Sequence, residues 1–352
     1  MTKTPFLIAL LAGAAASTAS AQSNVTLYGI ADAWVGYTNN KVGTTPTGKA
    51  AAVESGGAQA SRWGLKGSED LGGGVRANFI LEQAVSLDTG ATTRVSQSDL
   101  GFNRAAYIGL TGGFGELRLG RMLGAFDALR GSTNHLYDSS GFASTGQVWG
   151  AATTATPGQA AVAGSDYLAR GNNTFYYAPP AVGSFSSSLS YSADEKTTTS
   201  TTNPRMLSAH VKYTSGPLRI GYGYQSERYL AGKNKFHIVA GNYDFGPVKM
   251  VAAIQRQLDE RVAGKLTSNE WEIGLDAPFG AATVAVGYAS ASTKNIAGTE
   301  LIDAYGLSMM GTYDLSKRTR LYTAFRQLRT HRADGSTSLD ARRFGVGVTH
   351  RF

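Results

Sequence analysis

The chain has 352 residues, a formal net charge of +8 at pH 7 and no cysteine, which excludes disulfide bonds and thiolate metal sites. Its lysines and arginines are scattered among acidic residues instead of forming a run, and this pattern argues against a nucleic-acid partner. Apart from one amino-terminal segment, no stretch is apolar enough for a membrane-spanning helix, so a membrane location would require β-strands.

Residues 1–21 have the features of a secretory signal peptide. Lys3 is the only charged residue in this segment, an apolar run extends from Phe6 to about Ala16, and Ala19 and Ala21 supply the small side chains that a signal peptidase requires. The apolar run is shorter than the ~20 residues of a membrane anchor. We therefore expect cleavage after Ala21, which leaves residues 22–352 as a single domain.

From Val25 onward, apolar and polar residues alternate in segments of about ten residues, as in the strands of outer-membrane β-barrels. The segment MLSAHVKY places leucine, alanine, valine and tyrosine on one face and Ser208, His210 and Lys212 on the other. A soluble β-sandwich also alternates, but its apolar face meets a second sheet and its polar face meets water. The polar faces here are rich in Arg, Lys, Glu, Gly and Ser, which favours a water-filled lumen.

The pattern predicts an all-β fold, a 16-stranded antiparallel transmembrane β-barrel with both termini on the periplasmic side. Tight turns are expected at LGGG, TGGF, PPAVG, TSGP, FGP, APFG and DLSK, and longer polar connections alternate with them. The predicted strands lie near residues 24–38, 58–69, 74–87, 101–111, 115–122, 169–178, 184–194, 205–214, 218–228, 235–245, 248–258, 268–277, 281–292, 302–314, 319–330 and 341–352.

One connection, at about residues 122–167, is much longer than the others. A connection of this length is usually functional or disordered. In a barrel wide enough to hold water, such a loop can fold inward and narrow the channel. We predict an inward-folded third loop that acts as the constriction.

Five sequence blocks, taken in order, resemble the trimeric general diffusion porins of Gram-negative outer membranes, and the anion-preferring branch is the most similar. The blocks are SNVTLYGIADAWVGY, SRWGLKGSEDLGGG, FNRAAYIGL, GELRLGR and FGVGVTHRF, and the resemblance covers essentially the whole mature chain. It implies a sixteen-stranded barrel in the cell outer membrane, three copies side by side, and a pore that the inward-folded third loop narrows.

The resemblance also implies a ladder of arginines on the barrel wall, facing the third loop and creating a transverse field. By motif these are Arg62, Arg104 and Arg170. On the loop side, Asp127 matches an aspartate near the loop start, and Asp138 is a candidate by position. The PEFG segment that many relatives carry in this loop, with its acidic side chain, is absent, which favours anions over cations.

Five further charged or terminal residues receive separate interpretations. Lys66 and Arg130 are predicted vestibule or lumen charges, and Phe352 resembles the terminal aromatic residue that marks chains for barrel insertion. Arg118 and Arg121 differ in parity, so both cannot point into the pore if their strand stays regular.

The predicted function is passive diffusion of small hydrophilic solutes and ions through an outer-membrane channel that prefers anions. Its partners would be these solutes, inorganic or organic anions, outer-membrane lipid and two further copies of the chain. No HExxH or GxSxG motif is present, and we predict no enzyme, catalytic residue, metal or cofactor. Two alternatives stay open: a barrel enzyme, and a substrate-specific channel in which Arg130, Tyr137 and Trp149 line a low-affinity site.

Overall fold

The structure is a computed structural model, and it describes residues 24–43, 45–92, 101–133, 141–142, 145–153, 167–193, 204–261, 265–333 and 338–352. The predicted signal peptide, Tyr137 and Asp138 lie outside these residues, so the interpretations attached to them stay predictions. Among the described residues, no helix has the length and apolar character needed to cross a membrane.

The described residues form seventeen strands in one antiparallel sheet. The strands are β1 (Asn24–Val42), β2 (Thr45–Ser55), β3 (Arg62–Gly72), β4 (Val75–Ala84), β5 (Ala105–Gly112), β6 (Gly115–Leu123), β7 (Arg170–Ala178), β8 (Phe185–Ser192), β9 (Arg205–Ser215), β10 (Leu218–Arg228), β11 (Lys233–Asp244), β12 (Lys249–Asp259), β13 (Leu266–Phe279), β14 (Ala282–Asn295), β15 (Glu300–Asp314), β16 (Thr319–Arg332) and β17 (Leu339–Arg351). Two described helices, α1 (Ala125–Thr133) and α2 (Thr145–Thr153), lie between β6 and β7.

The sheet closes into a barrel because β17 pairs with β1 along most of its length. On its other edge, β1 pairs with β3 through residues 24–30 and with β2 through residues 33–42. Strands β2 and β3 therefore occupy one position end to end, and the ring has sixteen positions. The predicted sixteen-stranded barrel is confirmed, with an interruption in its second position.

The interruption, residues 56–61, differs from the predicted strand bounds: β2 lies within the connection expected between strands 24–38 and 58–69, and the next strand begins at Arg62 instead of residue 58. Asp32, on β1, is fully buried, and its carboxylate accepts hydrogen bonds from the backbone N–H groups of residues 57–59 at 2.8, 3.2 and 2.9 Å. The hydroxyls of Tyr322 and Thr349 donate to the same carboxylate at 2.8 and 2.6 Å. A buried carboxylate needs such donors, and the chain leaves the β-ladder at this point to supply them.

The two ends of the barrel differ in their connections. At the end that carries both termini, all seven predicted tight turns are present. In the first of them, Gly72, Gly73 and Gly74 have φ angles of +82°, +60° and +77°, a backbone region that glycine adopts without strain. At the other end, residues 229–232 and 296–299 form short connections, because β11 and β15 begin earlier and β14 ends later than predicted.

The two faces of the barrel wall follow the predicted alternation. On the outer face, large apolar side chains such as Leu207 and Val211 are exposed, whereas the neighbouring inward-facing Ser208 is fully buried. The same alternation continues around the ring, with Ile254 and Phe344 among the exposed outer residues. An apolar outer face and a polar inner face are the arrangement of a barrel that spans a membrane.

Candidate functional site

The described parts of the chain between β6 and β7 lie inside the barrel, where the two helices pack against one side of its inner wall. Helix α1 contacts β8 to β12, and helix α2 contacts β13 to β16. Phe126 and Leu129 from α1 and Val148 and Trp149 from α2 are fully buried in one apolar cluster with inward-facing wall residues. This segment is the inward-folded third loop that the sequence predicts.

Side chains of the barrel wall cap the amino terminus of α1. The Ala125 N–H donates to Ser190 Oγ at 3.0 Å, and the Phe126 N–H donates to Ser208 Oγ at 2.6 Å. These N–H groups have no partner within the helix, so the serines satisfy donors that would otherwise be buried without one. His210, a predicted lumen residue, faces inward but contacts the Ala125 carbonyl at 2.7 Å through Nδ1.

The other end of the loop is held in the same way. The Leu168 N–H donates to Glu227 Oε1 at 2.6 Å, and Gln225 Nε2 donates to the Leu168 carbonyl at 2.9 Å. Thr293 Oγ1 donates to the carbonyl of Ala152 in α2 at 3.0 Å. The described parts of the loop are thus hydrogen-bonded to the wall where the loop begins, in α2 and where it ends.

Arg130 lies inside the barrel but differs from the predicted vestibule or lumen charge because aromatic rings cover it. Its side chain is 3% exposed, and the guanidinium lies 4.8 Å from the Trp149 ring and 4.7 Å from the Tyr167 ring. Stacking of this kind stabilises a desolvated cation. The substrate-specific alternative requires Arg130 and Trp149 to line an open solute site. Both side chains are buried, so they do not line one.

The three arginines that the resemblance singles out lie together on the opposite wall. Arg104 Nε is 2.6 Å from Glu82 Oε1, and Arg62 Nε is 3.4 Å from Glu82 Oε2. Arg170 Nε donates to the backbone carbonyl of Arg104 at 2.8 Å. We call Arg62, Arg104, Arg170 and Glu82 the arginine cluster.

Glu82 belongs to the arginine cluster but is not among the site residues predicted from the sequence. It lies on β4, where strand alternation puts it on the same face as Arg76, Asn78 and Ile80. Its Oε2 also accepts a hydrogen bond from the Tyr28 hydroxyl at 3.0 Å. The alternation of ANFILEQA was the available signal, since it gives Glu82 the inward parity.

Strand β6 is irregular beside the cluster, so the parity argument about its two arginines does not apply. Arg118 forms an ion pair with Glu116 at 2.7 Å. A register shift follows between Gly120 and Met122. At the shift, Arg121 donates to the Asn103 carbonyl at 2.8 Å and contacts the Asn172 side chain.

Asp127 brings a carboxylate from α1 toward the cluster. Its Oδ1 accepts a hydrogen bond from the Tyr167 hydroxyl at 2.5 Å. Asp127, Glu82, Arg104 and Arg121 are the charged groups that act most strongly on Arg170. Arg62, Arg104, Arg121 and Arg170 against Glu82 and Asp127 give a formal local charge of 4 − 2 = +2; Arg351, which also acts on Arg62, is left out of this count.

Lys66 and Phe352 lie at the end of the barrel that carries the tight turns. Lys66 is exposed, and its Nζ lies 5.2 Å from the centre of the Tyr28 ring. Phe352 extends the pairing of the last strand with the first, because it exchanges backbone hydrogen bonds of 3.0 and 3.2 Å with Gly29. Its ring packs over Gly29, where a Cβ atom would lie 2.3 Å from Phe352 Cζ.

Comparison with known proteins gives consistent results. A family model described as Gram-negative porin matches residues 7–333. Outer membrane porin protein 32 of Delftia acidovorans is 34% identical over 325 residues, which cover 90% of this chain and 87% of that protein. Major outer membrane protein P.IB of Neisseria meningitidis serogroup B is 27% identical, covering 96% of this chain and 97% of its own. The solved anion-selective porin from Comamonas acidovorans aligns with a TM-score of 0.76 at 27% identity, over 94% of this chain and 100% of that one.

Proposed function

Because the chain belongs to the Gram-negative porin family, we propose that its pore prefers anions and that the arginine cluster sets this preference. The protein is a multi-pass β-barrel of the outer membrane and a channel for passive diffusion of small hydrophilic solutes and ions. Selection in such a channel comes from the width of the pore and the charges along it. We assign no covalent chemistry to any residue of this chain.

One observation carries the anion preference: Arg62 and Arg104, from separate wall segments, pair with the single carboxylate of Glu82, and Arg170 is hydrogen-bonded to the backbone of Arg104 beside them. The Arg62, Arg104 and Glu82 side chains are 22%, 16% and 15% exposed, so water inside the barrel reaches them. The comparison supports the same direction, since the Comamonas acidovorans relative is described as anion-selective. Asp127 reduces the local positive charge from the loop side, and Asp138 stays a candidate for the same role.

The expected preference is small. A monovalent anion at ~7 Å from a net local charge of +2 in water gains about 1.2 kcal/mol without screening. Screening with a Debye length of about 8 Å reduces this gain to roughly 0.5 kcal/mol, which corresponds to about a twofold preference. The cluster therefore filters by charge and does not bind its solutes tightly, as a diffusion channel requires.

The assembly follows from the family resemblance. We propose that three copies associate side by side and that each barrel carries its own arginine cluster. Lys66 contributes to the field at the periplasmic mouth, and Phe352 acts as the assembly signal. A chain that lacks Phe352 is expected to insert poorly into outer membranes; normal insertion would assign the signal to another residue.

The test of this proposal is the reversal potential across a planar bilayer under a salt gradient. We expect the wild-type protein to prefer anions, and we expect replacement of Arg62, Arg104 and Arg170 by serine to abolish the preference. Replacement of Arg329 and Arg342 by serine is the matched control, because these arginines are paired with Asp340 on the outward parity of β16 and β17. Cation preference in the wild-type protein would contradict the proposal, and an unchanged potential in the triple variant would assign selectivity elsewhere.

A further inference from the structure

A row of inward-facing polar side chains crosses three neighbouring strands near the third loop, and none of these strands carries a member of the arginine cluster. Ser308 on β15 is the direct partner of Arg326 on β16, and Arg326 is the direct partner of Arg343 on β17. Ser308 is fully buried and Arg326 is 6% exposed. We call these three residues the Ser308 row.

The Ser308 row has hydrogen-bond donors that the described protein atoms leave unused. Within the part of the chain that the structure describes, Nε and Nη1 of Arg326 and Oγ of Ser308 are buried and have no hydrogen-bond partner. Glu54 lies beside Arg343, with 3.8 Å between its Oε2 and Nη2. Arg326 and Arg343 repel each other, Glu54 offsets this repulsion in part, and the two Arg326 nitrogens that are buried without a hydrogen-bond partner among the described residues are unfavourable.

The third loop covers part of this row from the lumen side. Phe142 packs edge-on against Trp34 with ring centres 4.9 Å apart, and the Arg343 guanidinium lies 5.5 Å from the same Trp34 ring. A Cβ atom built on Gly141 would lie 2.9 Å from Arg343 Nη1, and one built on Gly306, two residues before Ser308, would lie 2.7 Å from Val148 of α2. The row therefore lies under the described part of the loop.

We propose that the Ser308 row binds one small inorganic anion of the size of chloride. Arg326 donates to it through Nε and Nη1, Ser308 donates through its hydroxyl, and Arg343 contributes a second positive charge. A small anion suits this position because it accepts hydrogen bonds from several directions and needs little space. The bound ion is a fixed counter-ion that joins the wall and the loop, whereas the arginine cluster acts on ions that pass through.

The direct test is a crystal structure of the wild-type protein grown or soaked in sodium bromide. We expect an anomalous bromide peak within about 3.5 Å of the Arg326 guanidinium and the Ser308 hydroxyl, somewhat beyond ordinary hydrogen-bond lengths because bromide is large. A water molecule without anomalous signal, or no peak at this position, would overturn the proposal. A peak near the arginine cluster alone would overturn it as well.

A solution experiment tests the same site through stability. A ligand that binds only the folded state raises the thermal midpoint as its concentration rises. We therefore expect a higher midpoint in sodium chloride than in sodium gluconate at equal ionic strength, and we expect Arg326→Met to lose this difference. The matched control is Arg329→Met, three residues farther along the same strand and on its other face, which should keep the difference. An Arg326→Met variant that keeps the full chloride effect would contradict the proposal.

If Arg326→Met does not fold, Ser308→Ala replaces it. This variant removes one donor and leaves both arginines in place, so the chloride effect should shrink without disappearing. An unchanged chloride effect in Ser308→Ala would exclude the hydroxyl as a ligand. The bromide experiment then decides the site, since it uses the wild-type protein alone.

Discussion

The two sides of the inner wall have the same alternating sequence pattern but different inward side chains. On β3 to β7, the inward residues include long charged side chains that reach into the lumen and stay partly exposed, among them Arg62 and Glu82. On β8 to β16, several of the inward residues are small, among them Ser190, Ala240 and Ala289, and all three are buried. Alternation thus determines which residues face inward, and the small inward residues on β8 to β16 leave room for the loop.

Close packing explains why the loop settles on the side with small residues. A Cβ atom built on Gly223 would already lie 3.0 Å from Ile238 and 3.2 Å from Leu129 and Phe126. Arginines at such positions would have to be buried or would push the helices away. The charged side chains of the arginine side remain partly exposed, and we propose that solutes pass along this side.

The largest effect is expected from a variant that loosens the loop on its own side. Phe126→Ala removes a fully buried side chain, a change that costs about 3–5 kcal/mol in protein cores. We expect α1 to detach in part, so that single-channel recordings show larger or fluctuating conductance. Phe344→Ala, which truncates an exposed residue of the outer face, is the control and should leave conductance unchanged. Wild-type conductance in Phe126→Ala would show that α1 does not limit the pore.

A smaller effect is expected from removal of one helix cap. Ser208→Ala deletes the acceptor of the Phe126 N–H, and loss of an N-terminal cap costs about 1 kcal/mol. We expect faster hydrogen exchange at the first amides of α1, measured by mass spectrometry, with the barrel strands unaffected. Ser187→Ala, at a position of outward parity on β8, is the matched control. Equal exchange in the two variants would show that the serine cap does not hold the helix.

The sequence predicts the barrel well because inward and outward residues alternate along each strand. In MLSAHVKY the predicted outward residues Leu207 and Val211 are exposed, and the predicted inward Ser208 is buried. The motif resemblance also selects Arg62, Arg104 and Arg170, which the structure brings together although they come from distant parts of the chain. Local periodicity and motif order are enough for these features.

Features that depend on contacts between distant strands could not be predicted from the sequence. At residues 56–61 the chain leaves the β-ladder and supplies hydrogen-bond donors to the buried Asp32 carboxylate. Two other donors to this carboxylate, Tyr322 and Thr349, lie about 300 residues away in sequence. The sequence predicts a solvated charge at Arg130, whereas in the structure the rings of Trp149 and Tyr167 cover its guanidinium. A periodic pattern gives the direction of a side chain but not what lies opposite it.

The smallest predicted effect tests the charge balance of the open side. Glu82→Gln keeps an acceptor for Tyr28 but removes the negative charge beside Arg62 and Arg104, so the local charge rises from +2 to +3. One additional positive charge ~7 Å from a passing anion adds about 0.6 kcal/mol to the anion's attraction without screening and roughly 0.25 kcal/mol with screening. The anion preference, measured by reversal potential, should therefore increase about 1.5-fold.

The matched control for this variant is Glu116→Gln, which removes the same charge from an ion pair with Arg118 outside the arginine cluster. If both variants raise the anion preference equally, selectivity depends on the net charge of the lumen and not on the cluster. If Glu82→Gln lowers the preference, the glutamate is needed to hold Arg62 and Arg104 in position, and its loss outweighs the gain in charge. An increase in Glu82→Gln alone would locate the selecting charges at the point where the three arginines meet.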